Sequence, residues 1–216
     1  MDRRNQNRKL SLRQIAGAMA VLALAGCTSL VAPLIRPHVT GELTALGAGD
    51  WKLDPAHAAL IFRIDHLGYS DLVGRFEKFD VSLTGDAANP ADARADAVID
   101  MTSLDMANDD FAAELMGPKF FDAAHFPQAV FRTLTVRPGE GGDAEVDGEL
   151  TLHGVTRPET LHVHFNGTAY DAIRGADVAG FSATAVIDRS DFGVSAFSGL
   201  VTDEVRIEIQ AEFLKQ

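Results

Sequence analysis

The histidines are the first residues to weigh. His162 and His164 stand two apart in an alternating segment, which puts both imidazoles on one side of a strand, and His153 is near in sequence. Two imidazoles at that spacing offer part of a zinc or copper shell, but nothing fixes a third ligand, so no metal site is expected. His66 lies on the apolar side of another segment, where an imidazole either hydrogen-bonds a ligand's oxygen or is satisfied by a neighbouring backbone group. The run Asp188-Arg189-Ser190-Asp191 is able to grip a polar head group and reads equally as turn chemistry at a strand exit. For covalent catalysis there is no G-x-S-x-G segment, no base beside Ser190 or Ser195, and a single cysteine, Cys27, in an apolar N-terminal run. No enzymatic activity is expected. The chemistry that recurs is apolar: 13 Phe against 2 Tyr and 1 Trp, surface that suits a dry interior and carries few polar handles.

Composition narrows the classes further. The chain has 216 residues, 46% hydrophobic and 23% charged, the profile of one globular domain. Its formal charge of -12 repels phosphate backbones and argues against nucleic acid as a partner. One cysteine excludes an intramolecular disulfide framework and a multi-cysteine metal centre.

The elements that position the phenylalanines repeat with a period of two. Leu60, Phe62, Ile64 and His66 share one face of Ala58–His66, with Arg63 and Asp65 on the other. Near the C-terminus Val205, Ile207, Ile209, Ala211 and Phe213 alternate with Glu204, Arg206, Glu208, Gln210 and Glu212. Further strands are predicted at Phe76–Leu83, Ala95–Met101, Ala129–Val136, Ala144–Leu152, Glu159–Asn166 and Ala179–Asp188, separated by turn signals such as Gly85-Asp86 and His153-Gly154. One short helix breaks the pattern: Asn108 caps it, Asp109 and Asp110 favour its first turn, Phe111 and Leu115 share a face, and Gly117-Pro118 ends it. These strands form either a sandwich or a barrel, and closure, which removes sheet edges, favours an all-β eight-stranded antiparallel barrel. Phe62, Ile64, Phe76, Phe79, Phe131, Phe165, Phe181 and Ile207 then face one interior, filled by its own side chains or open to a ligand.

The N-terminus reads as an address. Arg3, Arg4, Arg8, Lys9 and Arg13 precede the apolar run Ile15 to Ala25, the layout of a secretory signal. Without residues 1–26 the chain keeps 14 Lys+Arg against 30 Asp+Glu, a net -16. Leu24-Ala25-Gly26-Cys27 resembles the lipobox of bacterial lipoproteins, whose cysteine is lipidated; Ala23-Leu24-Ala25 also fits an A-x-A cleavage site, and the apolar run is long enough to span a bilayer uncleaved. Thr28 after the cysteine resembles the sorting rule of enteric bacteria that favours the outer membrane. The expected organisation is a signal peptide over 1–26, a lipidated tether over 27–50 and one barrel domain over 51–216, in the periplasm.

Trp51-Lys52-Leu53-Asp54 with His57, Phe62-Arg63-Ile64-Asp65-His66-Leu67, Gly74-Arg75-Phe76 with Phe79, Phe120-Phe121-Asp122 with Phe126-Pro127 and Phe131, Gly148 through Thr156, and Gly180-Phe181 through Asp188-Arg189-Ser190-Asp191-Phe192-Gly193 occur in order across Trp51 to Phe213. Together they resemble the YceI-like family of periplasmic lipocalin-like proteins. The resemblance implies an extended barrel around a long apolar cavity holding an isoprenoid lipid: an isoprenoid quinone, its precursor or a polyprenol. It implies no enzymatic reaction and no cofactor. The ligand-lining set it suggests is Phe62, Ile64, His66, Phe76, Phe79, Phe120, Phe121, Phe131, Phe165, Phe181 and Phe192, with the Phe120–Phe121 pair as lid or plug. Where many members carry a charged Arg-Asp-x-His-Leu segment, this chain reads Phe111-Ala112-Ala113-Glu114-Leu115, which favours a neutral head over a pyrophosphate. A ligand-free barrel serving as a stress-protective or interaction module is the alternative, and the sequence leaves monomer and homodimer both open.

Replacing Cys27 by Ser tests the address. A lipidated cysteine predicts that the variant moves from the membrane fraction to the soluble periplasm on fractionation, whereas unchanged fractionation indicates an uncleaved apolar helix.

Overall fold

In the computed structural model the chain is described over residues 35–216. The signal segment and Cys27 lie outside the described residues. The sheet contains β1 (Gly49–His66), β2 (Ser70–Phe76), β3 (Phe79–Gly85), β4 (Arg94–Asp100), β5 (Leu104–Met106), β6 (Gln128–Pro138), β7 (Asp143–Leu152), β8 (Val155–Asp171), β9 (Ala176–Asp188) and β10 (Val201–Lys215). All pairings are antiparallel. Eight strands run β1-β3-β4-β6-β7-β8-β9-β10, and β10 returns to β1 from Trp51↔Lys215 to His66↔Val201, which closes the barrel.

β2 and β5 are continuations of β3 and β4. The second half of β1 pairs with β2, and β2 pairs with β5. The two long arms are interrupted side by side, at Glu77–Lys78, inside the strand predicted over Phe76–Leu83, and at a 3-10 turn over Met101–Ser103, where the strand predicted over Ala95–Met101 ends. Each break supplies partners to the other. Glu77 N–H donates to the Ser103 carbonyl at 3.0 Å, Lys78 N–H to Ser103 Oγ at 3.0 Å, and Asp100 N–H to the Lys78 carbonyl at 2.9 Å. Contacts between the two breaks, 25 residues apart in sequence, replace the ladder, which hydrophobic alternation does not encode.

The interruption opens one wall. β6 pairs with β4 only as far as Gln128↔Asp100, and the helix α1 (Asp109–Met116) packs beside β5 with Phe111, Ala112 and Leu115 against the core. Asn108 caps it as expected, accepting from Phe111 N–H at 2.9 Å, and Gly117 ends it.

At the other end of β1 the residues Asp54–His57 bulge out of the ladder between Leu53 and Ala58, so the strand extends beyond the predicted start at Ala58. Arg174, in the β8–β9 hairpin, holds the bulge: it donates to Asp54 at 3.1 Å, Asp171 at 2.9 Å and Glu212 at 2.6 Å. His57 hydrogen-bonded to Asp54 holds that carboxyl below its ordinary pKa, with Arg174 adding to it. The end of the stretch expected as a tether touches this part of the barrel: Thr40 exchanges backbone hydrogen bonds with Thr168, and Leu46 is buried in the cluster of Trp51, Phe165 and Phe213.

The alternation of β10 sorts as the sequence indicates, Ala211 and Phe213 buried, Glu204, Arg206 and Gln210 exposed. Ile207→Asp places an unpaired carboxylate inside and is expected to unfold the domain, whereas Glu204→Ala, outside, changes stability by less than about 0.5 kcal/mol. Denaturant melts of both variants check this, and the reverse ranking would mean a register shifted by one residue.

Candidate ligand-binding site

The interior is not filled. Two cavities follow one another along the barrel, about 440 Å³ at the α1 end and about 190 Å³ at the end where the chain enters. The handover passes from one inward position to the next on each strand: Ile99 to Ala97 on β4, Ala129 to Phe131 on β6, Ile207 to Ile209 on β10. Space is left because inward positions carry small side chains, with Ala97, Ala129, Ala183 and Ala211 all lining cavity. Ile207 and Ile209 are only half-buried in mid-strand, as expected of side chains that border a void.

Rings rest where glycine removes a side chain. A Cβ on Gly74 would fall 2.4 Å from the Phe62 ring, and one on Gly148 would fall 2.3 Å from the Phe131 ring. Phe79 packs against the hydrophobic clusters of both ends. Phe79 therefore sits at the join between the cavities, and Phe131, opposite Ala97, is the first inward β6 side chain of the smaller one.

Of the residues named from sequence, Phe62, Ile64, His66, Phe76, Phe120 and Phe121 line the larger cavity. Phe131, Phe165 and Phe181 line the smaller one. These nine side chains all face the interior of the one barrel, at two heights along it. Phe79 lines neither because it sits at the join, and Phe192 lines neither because it is fully buried in the packed core beneath His153, whose Nδ1 lies 3.1 Å from the Phe192 carbonyl. Phe121 packs edge-on to Phe62 and Phe76 at centroid distances of 6.4 and 6.0 Å, while Phe120 stacks on Phe197 at 6.0 Å. The inner ring narrows the cavity, and the outer one sits at its mouth.

Polar groups along the larger cavity are few, chiefly His66, Glu114 and Arg189. Arg189 is buried, and its guanidinium donates to the carbonyls of Val194 and Ala196 at 2.8 Å, Thr202 at 2.9 Å and Val201 at 3.3 Å. The Asp188–Asp191 run is accordingly a 3-10 turn over Arg189–Phe192 whose arginine gathers the 194–202 loop, a role that sequence spacing does not reveal. Against the smaller cavity Trp51 is buried, and its Nε1 is the buried side-chain polar atom left without a partner among the described residues.

The histidines do not converge. His153 forms a tight β7–β8 turn with Gly154, at φ 51° and 75°, and meets the Phe126 ring at 4.7 Å. His162 and His164 face outward opposite Glu145 and Asp143, and no cluster among the described residues is arranged to hold a metal ion.

Comparison with known proteins places this architecture. The sequence pattern of the YceI-like domain matches residues 51–213. Protein YceI of Escherichia coli is 37% identical over 171 residues, 78% of this chain and 88% of that protein. The crystal structure of BcnA from Burkholderia cenocepacia superposes with a TM-score of 0.68 at 26% identity, over 74% of this chain and 98% of BcnA. A polyisoprenoid binding domain from Saccharophagus degradans, implicated in plant cell wall breakdown, shares the fold with a TM-score of 0.53 at 17% identity, over 77% of this chain and 98% of that one.

The partition between void and packed core is measurable by truncation. Phe192→Ala leaves a new cavity in solid core and is expected to cost about 3 to 5 kcal/mol. Phe121→Ala only widens existing space and is expected to cost distinctly less. Equal losses in denaturant unfolding would mean that the barrel is filled.

Proposed function

Because the chain belongs to the YceI-like family, we propose that it is a binding protein that holds an isoprenoid lipid in its barrel, for storage or transport in the periplasm. The observation that carries this reading is the pair of apolar cavities inside a closed sheet. The polyisoprenoid binding domain of the same fold supports the ligand class. Each CH₂ removed from water contributes about 0.8 kcal/mol, so ten buried methylenes contribute roughly 8 kcal/mol before the costs of association. A chain lying in the larger cavity reaches the smaller one when the Phe131 ring turns off Gly148.

The polar groups favour a neutral head. Arg189, the cation on the larger cavity, already serves four backbone carbonyls, and α1 carries Glu114 where a basic cluster would be needed for a pyrophosphate. A quinone, its precursor or an unphosphorylated polyprenol fits these groups, with His66 at the mouth as a donor to its oxygen. Cys27, if lipidated, holds the domain at a membrane, by the lipobox resemblance the outer one.

Organic extraction and mass spectrometry of the protein purified from bacteria test this. The parent is expected to release an isoprenoid lipid. Ala97→Phe and Ala183→Phe, which fill the smaller cavity, are expected to keep a melting temperature near the parent's and to release less lipid or shorter chains. A parent without extractable lipid, together with strongly destabilised variants, would overturn the reading.

A further inference from the structure

The mouth of the larger cavity is surrounded by apolar side chains held out into solvent. On the β1–β2 hairpin Leu67 is 48% exposed and Tyr69 86%; on the loop after the 3-10 turn Phe197 is 56% exposed and Leu200 62%. Leu67, Phe120, Phe197 and Leu200 also line the cavity, so the exposed surface and the interior are one continuous apolar face.

This arrangement is held against backbone strain. Leu67 and Phe197 adopt φ values of 60° and 56°, a left-handed conformation that costs a branched or bulky residue about 1 to 2 kcal/mol. Fixed contacts hold both turns. Asp65 accepts from Gly68 N–H at 2.9 Å, Leu200 and Val201 N–H donate to the Phe197 carbonyl at 3.0 and 3.1 Å, and buried Arg189 gathers the carbonyls of the 194–202 loop. Strain that is held in place to expose an apolar side chain points to a use for that side chain.

The charge pattern says what the surface meets. In a chain with 23% charged residues, residues 66–70 and 194–201 contain no Asp, Glu, Lys or Arg. Asp71, just beyond, is neutralised by Arg206 at 2.6 Å. Two uncharged, apolar segments on an acidic domain suit a zwitterionic lipid surface and disfavour an anionic one.

We propose that this rim is a membrane-docking surface: the β1–β2 hairpin tip and the 194–201 loop insert into the surface of a zwitterionic bilayer, and an apolar chain passes between bilayer and barrel without crossing water. The proposal extends the carrier reading, yet docking is read out with no cargo at all.

Site-directed fluorescence on the full chain tests it. With Cys27→Ser removing the sole cysteine, a new cysteine at Tyr69 or Leu200, on the outer wall at Leu134 or Val186, or at the opposite end at Ile173 carries an environment-sensitive nitrobenzoxadiazole label. On addition of phosphatidylcholine vesicles the labels at 69 and 200 are expected to brighten several-fold, shift to the blue and be quenched by brominated phosphatidylcholine, while those at 134 and 186 stay constant. The combined variant Leu67→Asn, Phe197→Asn carries a residue that tolerates the left-handed backbone; it is expected to fold at least as stably and to lose the vesicle response. Unmoved rim labels, a response at Ile173 alone, or full docking by the Asn variant would overturn the proposal. So would brightening without vesicles that grows with protein concentration, because the rim would then be covered by a second copy. A chain that docks but yields no isoprenoid on extraction keeps this proposal and refutes the carrier reading; one that carries isoprenoid while its rim labels stay unmoved does the reverse.

Discussion

Everything in this molecule depends on the ladder between β1 and β10. By pairing the first and last strands from Trp51↔Lys215 to His66↔Val201 it converts an open sheet, with two unsatisfied edges, into a closed wall. Once the wall closes, the backbone hydrogen bonds no longer need a packed interior to exclude competing strands, and the inward face is free to remain hollow. Alanine at positions 97, 129, 183 and 211 and glycine at 74 and 148 exploit that freedom. The same residues in an open sandwich would leave two poorly packed faces sliding on one another.

The wall is continuous at one end and open at the other, and function follows that asymmetry. Where the chain enters, Arg174 with Asp54, Asp171 and Glu212 locks β1, β10 and the β8–β9 hairpin together, and Leu46 covers Trp51. At the α1 end the two broken arms give way to a helix and loops. There a second arginine, Arg189, is buried against backbone carbonyls rather than carboxylates, Asp203 lying 4.0 Å away. A buried guanidinium is costly to desolvate, and four acceptors from one loop offset that cost only while the loop keeps its shape. The larger cavity, the strained Leu67 and Phe197 and the two uncharged segments all gather at this end.

Much of the barrel was legible because its strands are amphipathic: β10, β7 and the second half of β1 alternate so strictly that inside and outside follow from sequence. The Asn108 cap was legible for the same reason, since a cap acts on its own neighbours. What escaped notice depends on contacts distant in sequence. The breaks at Glu77–Lys78 and Met101–Ser103 exist because each satisfies the other, and the Asp54–His57 bulge because Arg174 arrives from a hairpin 120 residues away. The phenylalanines were the right residue type, but periodicity assigns a face and not a height along the barrel. It could not separate Phe62 from Phe165, nor tell that Phe79 sits at the join between the cavities and Phe192 seals the core.

A barrel that carries an isoprenoid holds one apolar chain from the mouth to the closed end. A crystal structure of the protein purified from bacteria without delipidation tests that most directly. Elongated, continuous electron density running from the mouth at Phe120 and Phe197, past a displaced Phe131 ring, to Trp51 is the predicted result. Two separate cavities, empty or holding only water, with Phe131 still seated on Gly148, would contradict it.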